Sequence, residues 1–335
     1  MSSNDRWNRY LKMRKNPDPQ IDSLICQLLE HRAIIKDKEI NNRLLQELIT
    51  KYSESETRLK KLNRELIRKQ DRIELDLLAA AEIQKSLLPR DSVGSDAMNF
   101  AWKFRPCEEI GGDIFNIIPL NEDHWAFYMI DVAGHGVQAA MIAVTVYQYL
   151  QSNNGILLSQ TTKSVPTLKI YRPAEVLAFL DREYPFERFS SFFTMNYVVV
   201  NTAQGTLTAS SAGHPPPVIL RKNGKLILLK RGGRPIGTID MRLSKEEPIV
   251  FPEEHHRIRA GDKLIFYTDG VTDYQNEQGQ LYGAERFYKK LIELKDLPLS
   301  ELIEKSFDSL FEFGQNEDPK DDISLLGLEL QKQNA

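Results

Sequence analysis

Apolar residues recur every seventh position through the first quarter of the chain, at Leu45, Tyr52, Leu59, Leu66, Ile73, Ala80 and Leu87. A seven-residue period places one stripe of side chains along a single helix face, where a second helix can cover it. The companion seam reads Leu48, Ser55, Leu62, Lys69, Asp76 and Ile83. Its polar members weaken the seam, most of all at Lys69 and Asp76. Upstream, Ile21, Leu24, Ile25, Leu28 and Leu29 keep helical i, i+3, i+4 spacing. The pattern predicts a long helix that forms a weakened coiled coil. The other reading it allows is a solvated helix without a partner, which charge-rich sequences form only marginally.

Pro89 ends this pattern, and short apolar runs separated by turn residues follow. Strands are predicted at 98–105, 113–120, 124–132, 191–200, 205–211, 217–221, 225–230, 263–268 and 323–330. Helices are predicted at 136–150, 174–184, 283–294 and 300–313, the second opening at Pro173, where a missing N–H costs nothing. Residues 152–172 read as a polar excursion. The turns 201–205 and 222–224 join their strands as antiparallel hairpins. Hairpin-linked strands with helices in blocks indicate an α+β fold and not alternating βαβ units. The chain thus divides into a helical dimerisation or regulatory segment (1–75), a helical linker (76–89) and a folded domain (90–335).

Composition narrows the function. With 44 basic against 47 acidic residues the net charge is −3, which argues against a nucleic-acid partner, since that requires a basic excess. Cys26 and Cys107 are the only cysteines and form no CxxC pair, so a zinc site is not expected and a cytoplasmic location is. No run approaches the ~20 apolar residues of a membrane span, and the first residues lack the apolar stretch of a signal peptide.

The chemistry lies with carboxylates at strand ends beside glycine or a second acid. They are Asp113 after Gly111-Gly112, Asp131 in Ile130-Asp-Val-Ala-Gly-His-Gly136, Asp269 before Gly270, and the pair Asp321-Asp322. Gly134 and Gly136 allow positive φ at the turn after Asp131. Four or five carboxylates in one cleft repel one another unless a cation stands among them. An all-oxygen donor set without Cys or His favours Mg²⁺ or Mn²⁺.

These residues sit in a series of motifs that resembles the PPM metal-dependent protein serine/threonine phosphatases, in the bacterial RsbU/SpoIIE-type branch. The series runs through Ala81-Glu-Ile-Gln-Lys-Ser-Leu-Leu-Pro89, Arg105-Pro-Cys-Glu-Glu-Ile-Gly-Gly-Asp113 and Asp131-Val-Ala-Gly-His-Gly136. It continues with Phe193-Thr-Met195, Ser211-Ala-Gly-His-Pro-Pro216, Pro235-Ile-Gly237, Phe266-Tyr-Thr-Asp-Gly-Val-Thr272 and Asp321-Asp-Ile-Ser-Leu325. The resemblance implies a PPM-type α-β-β-α sandwich of two antiparallel sheets, here with an N-terminal helical extension. It implies two divalent cations, Mn²⁺ or Mg²⁺, bridged by Asp131, with the Val132 carbonyl completing one of them. Asp269 and Asp321 would bind the second, and Asp113 the first, directly or through water. Asp322 would hold a third, looser ion or hydrogen-bond to a ligand. A water between cations ~3.5–4 Å apart loses a proton near neutral pH and attacks phosphorus in line.

His135 is a candidate general acid for the leaving oxygen, against a plain turn histidine; its spacing from Asp131 departs from the Asp-Gly-His-Gly pattern of eukaryotic relatives. His214 reads as a turn-shaping residue, Arg105 as a substitute phosphate-binding arginine or a surface strand residue, and Cys107 as a packing residue. The implied substrate is a phosphorylated STAS-domain anti-anti-sigma factor in a partner-switching pathway. The implied assembly is a homodimer through the N-terminal helices, open to an upstream sensor or activator protein. Two competing readings are a catalytically idle phosphatase-like dimeric signalling scaffold and a hydrolase of small phosphate esters.

Overall fold

The computed structural model describes residues 19–89, 97–151, 157–160, 168–238, 250–315 and 317–331. The first 18 residues, and most of the 152–172 excursion, lie outside them. The chain separates into two compact units, Met1–Glu74 and Leu75–Ala335.

In the first unit the heptad stripe is helical throughout, within helix α1 (Pro19–Leu87), which continues into the second unit. Its apolar positions are uncovered in the single chain: Leu59 is 63 % exposed and Leu66 64 %. No helix among the described residues is long and apolar enough to cross a membrane.

The second unit is built on two sheets. One has strand order β1 (Met98–Arg105), β13 (Ile323–Leu330), β12 (Lys263–Tyr267), β8 (Val218–Leu220), β9 (Leu226–Leu228). The other runs β10 (Gly232–Gly233), β7 (Thr206–Ala212), β6 (Phe193–Asn201), β3 (His124–Val132), β2 (Ile114–Pro119), and β11 (Glu253–Arg257) also pairs with β7. Of the excursion, β4 (Leu158–Gln160) and β5 (Leu168–Ile170) form a separate two-stranded sheet.

All five residues of β12 are buried, and in β13 only Glu329 is partly exposed. Both faces of that sheet are covered, so its central strands are apolar at most positions and not merely at alternate ones. One face meets the second sheet through Phe127, Phe266, Leu326 and Leu328. The opposite face packs Ile265, Leu325 and Tyr267 against helices α6 (Ala284–Glu293) and α7 (Leu299–Gly314). On the outer face of the six-stranded sheet lie α2 (Val137–Tyr149), through Ala139, Ala143 and Val146, and α3 (Pro173–Glu183), through Val176, Leu177 and Leu180. A short helix α4 (Phe186–Phe189) follows α3. The layers are helix, sheet, sheet, helix.

The expected hairpins form, β6 with β7 and β8 with β9. The sandwich has the expected antiparallel pairing, with one local exception: the two-residue β10 joins β7 in parallel. Strand β11, Glu-Glu-His-His-Arg, escapes a hydrophobic pattern because its pairing with β7 is carried by backbone bonds on polar residues.

Candidate metal centre

Sheet connectivity gathers the strand ends. Strand β12 runs antiparallel to β13, with Tyr267 opposite Leu325. The end of the first and the start of the second therefore meet. Asp269 opens helix α5 (Asp269–Asp273) just beyond β12, and Asp321-Asp322 immediately precede β13. In the other sheet Asp131 lies one residue from the end of β3, and Asp113 precedes β2, whose Ile114 pairs with Ile130. Asp131, Asp269 and Asp321 line one cleft of about 300 Å³, together with His135, Thr194 and Lys320. The turn beyond Asp131 uses the expected glycines, at φ +96° for Gly134 and +77° for Gly136. Ala133 N–H fastens it to the Phe192 carbonyl at 3.0 Å.

Asp113, Asp322 and Val132 are buried and are not among the residues that line the cleft. Asp113 Oδ2 accepts the Ser324 hydroxyl at 2.6 Å. Asp322 is a backbone receptor: its Oδ1 accepts Cys107 N–H at 2.9 Å, and its Oδ2 accepts Gly112 N–H at 2.6 Å and Asp113 N–H at 3.2 Å. A carboxylate that accepts several backbone N–H groups ties down the loop that donates them. Gly111 is required here, since a Cβ would stand 2.2 Å from Asp322 Oδ2. From the end of α1, the buried Gln84 side chain bonds both the N–H and the carbonyl of Gly111, at 3.2 and 2.8 Å.

The carboxylates strain against one another. Burial first, then the charges of Asp269, Asp321 and Asp322, push the Asp131 carboxyl up to about 8. Burial, with Asp269 and Asp322 adding to it, raises Asp321 to about 6. Burial and Asp273 raise Asp269, while burial, Asp131 and Asp322 hold Asp113 well above the usual carboxylate range. Asp269 Oδ1 is buried without a hydrogen-bond partner. Among the described residues no three acidic, His or Cys side chains already stand in chelating geometry. The donor set nevertheless fits hard divalent cations: its members are oxygens, one is orphaned, and their mutual repulsion is what a cation relieves.

The remaining candidates sort by position. His135 Nδ1 meets Glu108 Oε1 at 2.9 Å, with the ring 66 % exposed at the cleft mouth. Arg105 pairs with Asp318 at 3.1 Å and lies over the Phe311 ring, away from the cleft, as a surface strand residue does. Burial and the nearby acids push the Cys107 thiol up to about 12, which disfavours the thiolate a nucleophile needs. His214 does more than shape a turn, since its Nδ1 lies 2.7 Å from Thr194 Oγ1. Two cleft residues were not singled out from the sequence. Thr194 stands inside the Phe193-Thr-Met195 motif, and Lys320 directly precedes Asp321-Asp322 with its Nζ on Gln275 Oε1 at 2.7 Å. Adjacency to the acidic pair was the available signal for Lys320.

A family model described as Stage II sporulation protein E (SpoIIE) matches residues 121–331. Phosphoserine phosphatase RsbP of Bacillus subtilis (strain 168) is 25 % identical over 240 residues, covering 70 % of this chain and 53 % of that protein. Phosphoserine phosphatase RsbU of the same organism is 26 % identical over 263 residues, covering 77 % of this chain and 71 % of RsbU. The SiaA-PP2C domain of Pseudomonas aeruginosa superposes with a TM-score of 0.63 at 21 % identity, over 78 % of this chain and 98 % of that domain. The chain thus spans about half the length of RsbP. Asp113 lies ahead of the residues that the family model matches.

Proposed function

We propose, from the premise that this chain belongs to the SpoIIE family of PPM-type phosphatase domains, that it is a metal-dependent protein serine/threonine phosphatase. Its substrate is a regulatory phosphoprotein, a phosphorylated STAS-domain anti-anti-sigma factor of a partner-switching pathway. The observation that carries this reading is the convergence of Asp131, Asp269 and Asp321 on one cleft, with Asp113 buried behind them.

Asp131, Asp269, Asp321, Asp113 and the Val132 carbonyl would hold two divalent cations, Mn²⁺ or Mg²⁺. Bound there, the cations supply a water activated near neutral pH and positive charge against the phosphoryl oxygens. The chain's own groups do the rest. Asp322 fixes the 107–113 loop through its backbone bonds. Lys320 stands on the cleft wall with its ammonium on Gln275 Oε1, and on leaving that bond it would meet a phosphoryl oxygen. His135, oriented through Nδ1 by Glu108, offers Nε2 to the leaving seryl oxygen as general acid.

Turnover of p-nitrophenyl phosphate should appear with Mn²⁺ and return to background with chelator. Turnover that survives chelation would contradict the metal mechanism, and its absence in any metal would favour the idle scaffold. A panel of phosphoproteins against small phosphate esters separates protein from small-molecule substrates.

The N-terminal helix is read as the dimerisation element of a signalling enzyme. Its uncovered stripe, with Leu45, Leu59, Leu66 and Ile73 each more than half exposed, supports this reading. A proline introduced at Lys69 should weaken the dimer at least ~10-fold, as helix-interior proline costs about 3 kcal/mol, while p-nitrophenyl phosphate turnover stays within about twofold. Sedimentation showing an intact dimer would remove the coiled coil from the account.

A further inference from the structure

The cleft holds an uncharged pair that the metal ligands do not require. Thr194 lies in β6 directly opposite Asp131 in β3, and it lines the cleft beside Asp131, Asp269 and Asp321. Its Oγ1 is 2.7 Å from Nδ1 of His214. His214 stands where the chain leaves β7, at the turn that begins with Gly213 at φ +69°. Its ring is buried, its carbonyl accepts the Ser211 hydroxyl at 3.3 Å, and the following Pro215 carbonyl accepts Asn196 Nδ2 at 2.7 Å. These bonds fix the backbone on which the buried ring is carried.

The protonation of that ring follows from its surroundings. Burial holds His214 down to about 3, so the ring is neutral at any working pH. A neutral imidazole has one donor and one acceptor nitrogen. Nδ1 faces the Thr194 hydroxyl, while Nε2 has no hydrogen-bond partner. The tautomer with its proton on Nε2 makes Nδ1 an acceptor, to which the Thr194 hydroxyl donates. The remaining lone pair of Thr194 Oγ1 is then free to accept a hydrogen bond in the cleft.

We infer that Thr194 is a catalytic residue that accepts a hydrogen bond from the attacking water, and that His214 is the positioning residue that keeps Thr194 an acceptor. No proton is transferred along the pair. Thr194 orients the water so that a lone pair faces phosphorus, and His214 prevents the hydroxyl from rotating to offer its own proton there. An unoriented hydroxyl would donate to the acidic side chains around it as readily as accept from the water. This rests on the phosphatase reading given above.

Two independent readouts test it in the whole chain. In the metal-free protein with ¹⁵N-labelled histidine, the His214 ring should show Nε2 protonated and Nδ1 unprotonated, and Thr194→Val should move the Nδ1 resonance. A proton found on Nδ1 overturns the assignment. With Mn²⁺ and p-nitrophenyl phosphate, Thr194→Val should lower kcat ~100-fold with KM within about threefold, as loss of one preorganised hydrogen bond does. Thr194→Ser should stay within about fivefold of the parent because it keeps the hydroxyl. His214→Asn, whose amide oxygen can take the place of Nδ1, should retain most activity, and His214→Leu should fall with Thr194→Val. A kcat for Thr194→Val within about threefold of the parent overturns the proposal, because valine fills the same space and a packing role would survive it. Absence of Mn²⁺-dependent turnover in the unmodified protein is a different result, and it overturns the phosphatase reading and this inference together.

Discussion

Replacing Asp131 by asparagine is expected to lower Mn²⁺-dependent turnover at least ~10³-fold and, in the same protein, to stabilise the metal-free fold at alkaline pH. The two effects share a cause. Asp131 lies among Asp269, Asp321 and Asp322, and burial with their charge lifts its carboxyl to about 8. Asp321 is lifted to about 6, and Asp269 and Asp113 are raised as well. An unfolded chain would release these protons near pH 4. Between about pH 4 and 8 the metal-free folded state therefore binds more protons than the unfolded state. Stability is fully present below the unfolded value and is lost as pH rises through the folded values. Thermal unfolding in chelator should show a falling midpoint across that window. At pH 8 the Asp131→Asn variant lacks one charge of the cluster and should exceed the parent by ~1–3 kcal/mol; at pH 4, where the parent carboxyl is protonated, the gap should close. Adding Mn²⁺ should raise the parent's midpoint most at pH 8, and the variant's far less. A variant that keeps Mn²⁺-dependent turnover within about tenfold would sink the proposal that Asp131 holds the cations.

Asp322→Ala should be the most destabilising substitution at the site, although Asp322 is absent from the cleft wall. Its two oxygens satisfy the N–H groups of Cys107, Gly112 and Asp113. Hydrogen bonds to an ionised acceptor are the strong ones, and their removal leaves buried donors without water or partner. The expected loss is ~3–5 kcal/mol, read by urea unfolding. Because the same loop carries Asp113, Mn²⁺ affinity should fall at least ~10-fold with every cleft carboxylate still in place. Asp322→Asn keeps one acceptor oxygen and should recover part of both losses. A stability change under about 0.5 kcal/mol would mean that the loop is held by other bonds.

The Asp322 result also separates two roles that adjacent residues can play. Asp321 lines the cleft, while Asp322, one position on, faces the loop behind it. The chain bends at Asp321 just before β13 begins at Ile323, and the two neighbouring side chains leave it in different directions. The sequence shows two equivalent aspartates; the direction of each comes from the register of β13 against β1 and β12.

Much of the architecture was legible because local pattern and burial agree. The runs 98–105, 124–132 and 323–330 become strands with those bounds. The heptad positions from Leu45 to Leu87 lie on one helix, α1. Strand β11 was not legible because polar residues carry no burial signal, and the parallel β10 pairing involves only Gly232 and Gly233.

The sequence by itself determined the inventory: oxygen-bearing side chains at strand ends, glycines where the chain must turn, and a helix with an apolar stripe. These follow from local chemistry, since period, turn residues and ligand type are read within a few positions. Only the tertiary structure decided which carboxylates share a cleft, that Asp322 serves the backbone, and that His214 stands behind Thr194. Those facts depend on contacts between residues 20 to more than 200 positions apart, which strand order and register bring together and which no local pattern encodes.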